Sequence, residues 1–213
     1  DFKQIEMTMS PRCYSNSPSD YIEFCLFQNG FQYQKLELSN VLELGSDFDV
    51  LYGLYKSSAR QATRKAKRLG VTIHQSDKFE TFYEILTNNL SLRHNVTPTH
   101  TLSELKKLKK LFPSKINLFT AHFENKIIAG VINFTCNDNT LLAFYISHDM
   151  KFQNLRPLNI LFTHIFQWAV EKNFKYYDFG LFTMNGIPNL SLARFKESFG
   201  TDGMFRKSMI LEL

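Results

Sequence analysis

The stretch KYYDFGLFTMNGIPNLSLARFKESFG, from Lys175 to Gly200, carries the side chains best suited to chemistry. A short aromatic strand closes on Asp178-Phe179-Gly180, an Asn-Gly loop follows, and a helix then presents Lys196 between Phe195 and Phe199. That combination points to a bound ligand. Asp-Phe-Gly also occurs in protein kinases, but a kinase needs a glycine-rich loop and a His-Arg-Asp loop upstream, and the chain has neither. The histidines at 74, 94, 100, 122, 148 and 164 are scattered, without a His-x-x-x-His or Cys/His spacing, so no metal site is expected. Gly-x-Ser-x-Gly and Walker motifs are absent too. A second cluster, Lys56, Arg60, Arg64, Lys65, Lys67 and Arg68, contains no acid. It is either a solvated helix face or a surface for phosphates.

These residues need elements to hold them. DFKQIEMTM and the alternating FQYQKLEL predict strands, with a short helix over SDYIEFCLFQNG that sets Tyr21, Phe24 and Leu26 on its apolar side. One long helix is predicted from Asp47 to Leu69, its stripe formed by Tyr55, Ala59, Ala62, Ala66 and Leu69. VTIHQS is a strand, and DKFETFYEILTNNLSLRH and TLSELKKLKKLF are amphipathic helices, the second with a lysine face read as solvated. The period then changes to two. INLFTAHFEN, KIIAGVINFTC and TLLAFYISHD form an antiparallel meander. A largely apolar helix from Pro157 to Asn173, the strand FKYYDFG, the helix LSLARFKESFG and the strand FRKSMILEL complete an α+β layout, with helices covering a mixed sheet.

Composition sets the outer limits. The 213 residues are 44% hydrophobic and 15% aromatic, enough for one sizeable core or two small ones. No apolar run is long and unbroken enough for a membrane-spanning helix, and the first residues do not read as a secretory signal. Cys13, Cys25 and Cys136 are odd in number and lack CxxC spacing, so reduced thiols and a cytoplasmic location are expected. The sequons at Asn89, Asn95, Asn133 and Asn189 are chance occurrences in a chain rich in Asn. The net charge of +5 is modest but unevenly spread, which is what a polyanionic partner would sense.

The order of elements, together with RQATRKAKRLGV, ENKIIAGVINF, NILFTHIFQWAVEKNFKYYDFG and LARFKESFG, resembles the GNAT acyltransferase superfamily, and within it the Fem-type, non-ribosomal peptidyl transferase branch. The resemblance implies a GNAT-like fold over residues 46–213. Residues 1–45 look like the end of a preceding GNAT-like half, most of which would be missing, and the chain has no initiator Met.

The resemblance also implies an activity: transfer of an acyl or aminoacyl group, from acyl-CoA (acetyl-CoA) or aminoacyl-tRNA, to an amine on a small molecule or a cell-envelope or polysaccharide precursor. The donor's pyrophosphate would sit on DMKFQNLRPLN, through Gln153, Asn154, Leu155, Arg156 and Asn159 at the start of the Pro157 helix. Ordinary GNAT enzymes have a glycine-bearing loop there, whereas this chain has no glycine between Gly130 and Gly180. Fem-type members share that departure, and a tRNA donor would suit Arg60, Arg64, Lys65 and Arg68. Asp178 would border the channel, orienting the amine or accepting its proton, or else would be a capping residue. Lys196 would stabilise a tetrahedral intermediate, bind a phosphate, or snorkel on a surface helix. His148 is a further base candidate. The competing expectation is a non-catalytic module of the same fold that binds RNA or another polyanion through the basic helix.

Overall fold

Strands of period two gather into one sheet because each must bury a face and pair its backbone. The computed structural model describes residues 2–94 and 96–213, the side chains of Arg93 and His94 excepted; the Asn95 sequon and the ring of His94 lie outside it. In chain order the elements are β1 (Gln4–Thr8), α1 (Tyr21–Gln28), β2 (Gln32–Glu43), α2 (Phe48–Leu54), α3 (Ser57–Arg68), β3 (Thr72–Ser76), α4 (Phe79–His94) and α5 (Leu102–Leu111). Then come β4 (Ile116–Phe123), β5 (Lys126–Thr135), β6 (Thr140–His148), α6 (Pro157–Glu171), β7 (Tyr176–Leu181), β8 (Thr183–Met184), β9 (Ile187–Pro188), α7 (Leu190–Glu197) and β10 (Asp202–Glu212). Short 3-10 turns lie at Arg12–Tyr14 and Met150–Leu155.

Eight strands form a sheet in the order β1-β10-β2-β7-β6-β5-β4-β3. Every pairing in it is antiparallel except β6 with β7. The strands of residues 1–45 belong to this same sheet, with β2 held between β10 and β7. Helices α2, α3 and α6 pack on one face around Leu161, Phe162, Ile165 and Phe166, while α4 and α5 pack on the other around Phe82, Leu86 and Leu105. Strand alternation divides the two cores: on β4, Leu118 joins the second and Phe119 the first. Among the described residues no helix is long and apolar enough to cross a membrane.

The helix expected over 47–69 is two helices. Tyr55 and Lys56 are extended, with ψ of 140° and 149°. Tertiary contacts impose the break: Tyr55 is buried in the core, and the Lys56 N–H donates to the Ser198 carbonyl at 2.8 Å. Arg60 then closes the end of α2, donating from Nη1 to the carbonyls of Gly53 (2.9 Å) and Tyr55 (2.7 Å). The buried stripe of α3 accordingly runs through Ala59, Thr63 and Ala66, and Leu69 is exposed. On α1 the expected apolar side faces outward, with Tyr21 at 80% and Phe24 at 60% exposure. Polar contacts hold that helix instead, Glu23 accepting from Lys207 Nζ at 2.8 Å and from the Tyr33 hydroxyl. The Asn-Gly loop is the two-residue turn of the β8–β9 hairpin, with φ of 53° at Asn185 and 75° at Gly186.

The meander packs tightly under α4 at Gly130. A Cβ there would lie 2.4 Å from Cδ2 of the fully buried Phe82 ring. Gly130→Ala should therefore cost about 1–3 kcal/mol of stability through overpacking. Urea unfolding of the variant measures this, and an unchanged midpoint would mean that the ring yields freely.

Candidate active site

Strands β6 and β7 pair in parallel at only three positions, Thr140↔Tyr176, Leu141↔Tyr177 and Leu142↔Asp178. Beyond these they separate, and a cleft of about 660 Å³ opens between the rest of β6, the end of β7, the start of α6 and helix α7. Its wall is apolar at Phe144, Leu158 and Phe195 and polar at His148, Arg156 and Lys196. Such a mixture suits a ligand with an apolar arm and a polar reacting end.

The start of α6 supplies one end of the cleft. Arg156 adopts φ 58° and ψ 44°, the left-handed region that glycine favours. Its carbonyl accepts the Asn159 N–H at 3.1 Å, and Pro157 follows at the first helical position, where no N–H is missed. A backbone conformation that favours glycine is thus adopted here by an arginine, whose side chain adds a cation. Gln153, Arg156 and Asn159 line the cleft. Asn154 borders an adjoining depression of about 370 Å³ together with Lys151 and Arg156. Leu155 does not line either space and packs against the core.

Lys196 supplies the other end. It is 2% exposed, and its Nζ donates to the carbonyls of Gly180 and Leu181, both at 2.8 Å. Burial lowers its pKa to about 8; the Asp178 carboxylate opposes that shift and Arg206 adds to it. A snorkelling position is therefore excluded. His148 is nearly buried and lies in the cleft wall.

Asp178 does not reach the cleft. Tyr177 and Phe179 point to α6, where their rings meet Phe166 at 4.9 and 5.5 Å, and alternation turns Asp178 to the opposite side of β7. Fully buried there, its carboxylate accepts from the Tyr14 hydroxyl at 2.7 Å, from Arg206 Nη2 and from the Gly180 N–H at 2.7 Å. The basic helix is likewise away from the cleft. Arg60 closes α2, whereas Arg64, Lys65 and Arg68 are exposed on α3 and take part in no ion pair among the described residues.

Sequence reasoning missed Asn89, Asn189 and Ser191, which all line the cleft. Asn189 had a local signal, since its side chain caps α7 by accepting the Leu192 N–H at 3.0 Å. Asn89 had none. It lies in the wall from α4, where its Nδ2 donates to Ser147 Oγ of β6 at 3.0 Å.

No curated protein matches the chain in sequence. Among solved structures, FemX superposes with a TM-score of 0.77 at 14% identity, over 98% of this chain and 72% of its own. L-PGS from Bacillus licheniformis gives 0.64 at 12% identity, over 89% of this chain and 65% of its own. A tandem GNAT protein from the clavulanic acid biosynthesis pathway gives 0.55 at 9% identity, over 99% and 64%. The chain thus spans just under two thirds of the last two. At such identities these likenesses establish the fold. Membership rests on the sequence itself: residues 55–196, about two thirds of the chain, match the acetyltransferase (GNAT) domain, and the chain belongs to that family.

Proposed function

We propose that this chain is an N-acyltransferase that moves an acyl or aminoacyl group, from a CoA thioester or an aminoacyl-tRNA, to a primary amine on a cell-envelope or polysaccharide precursor. The observation that carries the proposal is the cleft at the β6–β7 separation, with the start of α6 at one end and a buried lysine at the other. A family assignment alone leaves substrates open.

In this reading Gln153, Arg156 and Asn159 receive the donor's phosphates, with Asn154 and Lys151 beside them. The amine nitrogen attacks the donor carbonyl, and the carbonyl oxygen takes up negative charge. Lys196 as an ammonium has three N–H groups, two of them given to backbone carbonyls. The third is available to the oxyanion. When the carbonyl re-forms, the C–S or C–O bond to the donor breaks; the amine's proton passes through His148 or solvent to the leaving thiolate or alkoxide. Most of the acceleration comes from holding amine and carbonyl together. Three free cysteines support a cytoplasmic setting. Residues 1–45 are read as the end of a preceding GNAT-like half that has given β1 and β2 to this sheet, β2 between β10 and β7. Arg64, Lys65 and Arg68, exposed and in no ion pair among the described residues, favour a tRNA donor, or, without catalysis, an RNA-binding module.

Thermal unfolding with acetyl-CoA, longer acyl-CoAs, free CoA and mixed aminoacyl-tRNAs tests this. A donor at 100 times its Kd stabilises by about 2.7 kcal/mol. A CoA response lost in Arg156→Ala identifies a thioester donor. A response to charged tRNA alone, lost in a variant lacking Arg64 and Arg68, identifies the Fem-type donor. Salt-sensitive binding of uncharged RNA with no turnover would favour the module and sink the transferase.

The Lys196 ammonium gives a second test. As its pKa falls from 10.5 unfolded to about 8 folded, the unfolded chain binds more protons between those values, so stability rises with pH across that window. The rise amounts to roughly 3 kcal/mol at most. In Lys196→Met it should vanish, and turnover should fall about 100- to 1000-fold. In the wild type, kcat/KM should decline above about pH 8 as the ammonium is lost. Urea titrations and rate profiles over pH 7–10.5 measure both. A rate that climbs through that range in the wild type but not in Lys196→Met would mean Lys196 acts as a base.

A further inference from the structure

Gly180 stands between a buried carboxylate and a buried ammonium. Its N–H donates to Asp178 Oδ1 at 2.7 Å, and its carbonyl, with that of Leu181, accepts from Lys196 Nζ at 2.8 Å. In a regular strand consecutive carbonyls point to opposite sides. One ammonium can reach both only where the strand has left its course, and Gly180, at φ +74°, is the residue that turns. Space is not the reason for glycine, since the nearest atom to an added Cβ is the Ala143 oxygen at 3.9 Å. The requirement is the backbone angle, and the Asp178 side chain bonding two residues ahead fixes the turn in which that angle occurs.

Asp178 is itself held from distant parts of the chain. Its second oxygen accepts from the Tyr14 hydroxyl at 2.7 Å and from Arg206, whose guanidinium lies 5.8 Å over the Tyr14 ring centroid. Tyr14 is in turn clamped to the β5–β6 turn: its carbonyl accepts Asn137 Nδ2 at 2.8 Å, and the preceding Cys13 carbonyl accepts the Thr140 hydroxyl. A base facing the cleft would not be locked in this way.

We propose that Asp178 is a positioning residue for Lys196: through the Gly180 peptide it sets the pair of carbonyls that seat the ammonium, and Tyr14 and Arg206 hold Asp178 in place. The Asp-Phe-Gly sequence is thus a receptor for the lysine of α7. Around Lys196 the charged or titratable groups are Asp178 on β7, Arg206 on β10, His148 on β6, Arg156 before α6 and Glu197 beside it, the last paired with Lys56 at the surface. Asp178 raises the Lys196 pKa and Arg206 lowers it, both secondary to burial.

The test is the titration midpoint of Lys196 read by NMR of protein carrying 13C-labelled lysine, the signal identified by its loss in Lys196→Met. In the wild type the midpoint should lie at about 8. Asp178→Asn, which removes the charge but keeps an acceptor for the Gly180 N–H, should lower it, Asp178→Ala, which removes the acceptor too, should lower it further, and Arg206→Met should raise it. The falling limb of kcat/KM should move in the same directions. An Asp178→Ala midpoint no lower than that of Asp178→Asn, in proteins with native near-UV circular dichroism, would overturn the assignment. Should either variant not fold, Arg206→Met decides: a midpoint that stays or falls overturns the assignment equally. The inference deepens the transferase reading through its rate readout, but the midpoint needs no turnover. Silent donors with moving midpoints would remove the transferase and leave the seat, and responsive donors with fixed midpoints would do the reverse.

Discussion

A parallel pairing that ends at Leu142 and Asp178 governs the rest of this molecule. Backbone groups inside a protein must find partners. Where β6 and β7 part, the carbonyls at the end of β7 have no strand on that side to bond to. The structure answers with a side chain: Lys196 arrives from α7 and takes two of them. An opening in a sheet is thereby made compatible with folding, and the group that makes it so is a cation in the wall of the opening.

The rigidity of that opening comes from aromatic packing beneath it. Phe162 on α6 lies 4.7 Å from Phe179 and 5.8 Å from Phe199, so the helix that starts at the cleft, the strand that borders it and the segment after α7 share one core. Tyr55 joins them through Phe166 and Phe199, which ties the break between α2 and α3 to the same cluster. Edge-to-face and offset contacts of this kind fix mutual orientation as well as burying area. Arg156 in a left-handed conformation costs about 1–2 kcal/mol, and such strain persists where the surroundings over-determine the backbone. The flanking proline and the buried helix are those surroundings.

The two sides of β7 have separate tasks. Toward α6 it contributes Tyr177 and Phe179 to the core; on the other side it contributes Asp178 to a polar cluster drawn from Tyr14 and Arg206. The first 45 residues therefore do more than extend the sheet through β1 and β2. Through Tyr14 they supply one of the donors that hold the Asp178 carboxylate.

Periodicity in the chain determined most of the elements, because burying one face of a strand or helix needs neighbours of that element alone. The meander, the Pro157 helix, the helix over TLSELKKLKKLF and the order that resembles GNAT proteins were all legible on that basis. So were Gln153, Arg156, Asn159, Lys196 and His148 as residues near a cleft, through the family resemblance. Three features lay beyond it. The helix over 47–69 breaks because the Lys56 N–H meets a carbonyl at Ser198, 142 positions on. Asn89 enters the wall through a contact with Ser147. Asp178 turns from the cleft because Tyr14 and Arg206 wait on the other side. Local sequence encodes which faces are apolar; it does not encode which distant donor a given carboxylate or carbonyl will meet, and only the closed sheet decides that.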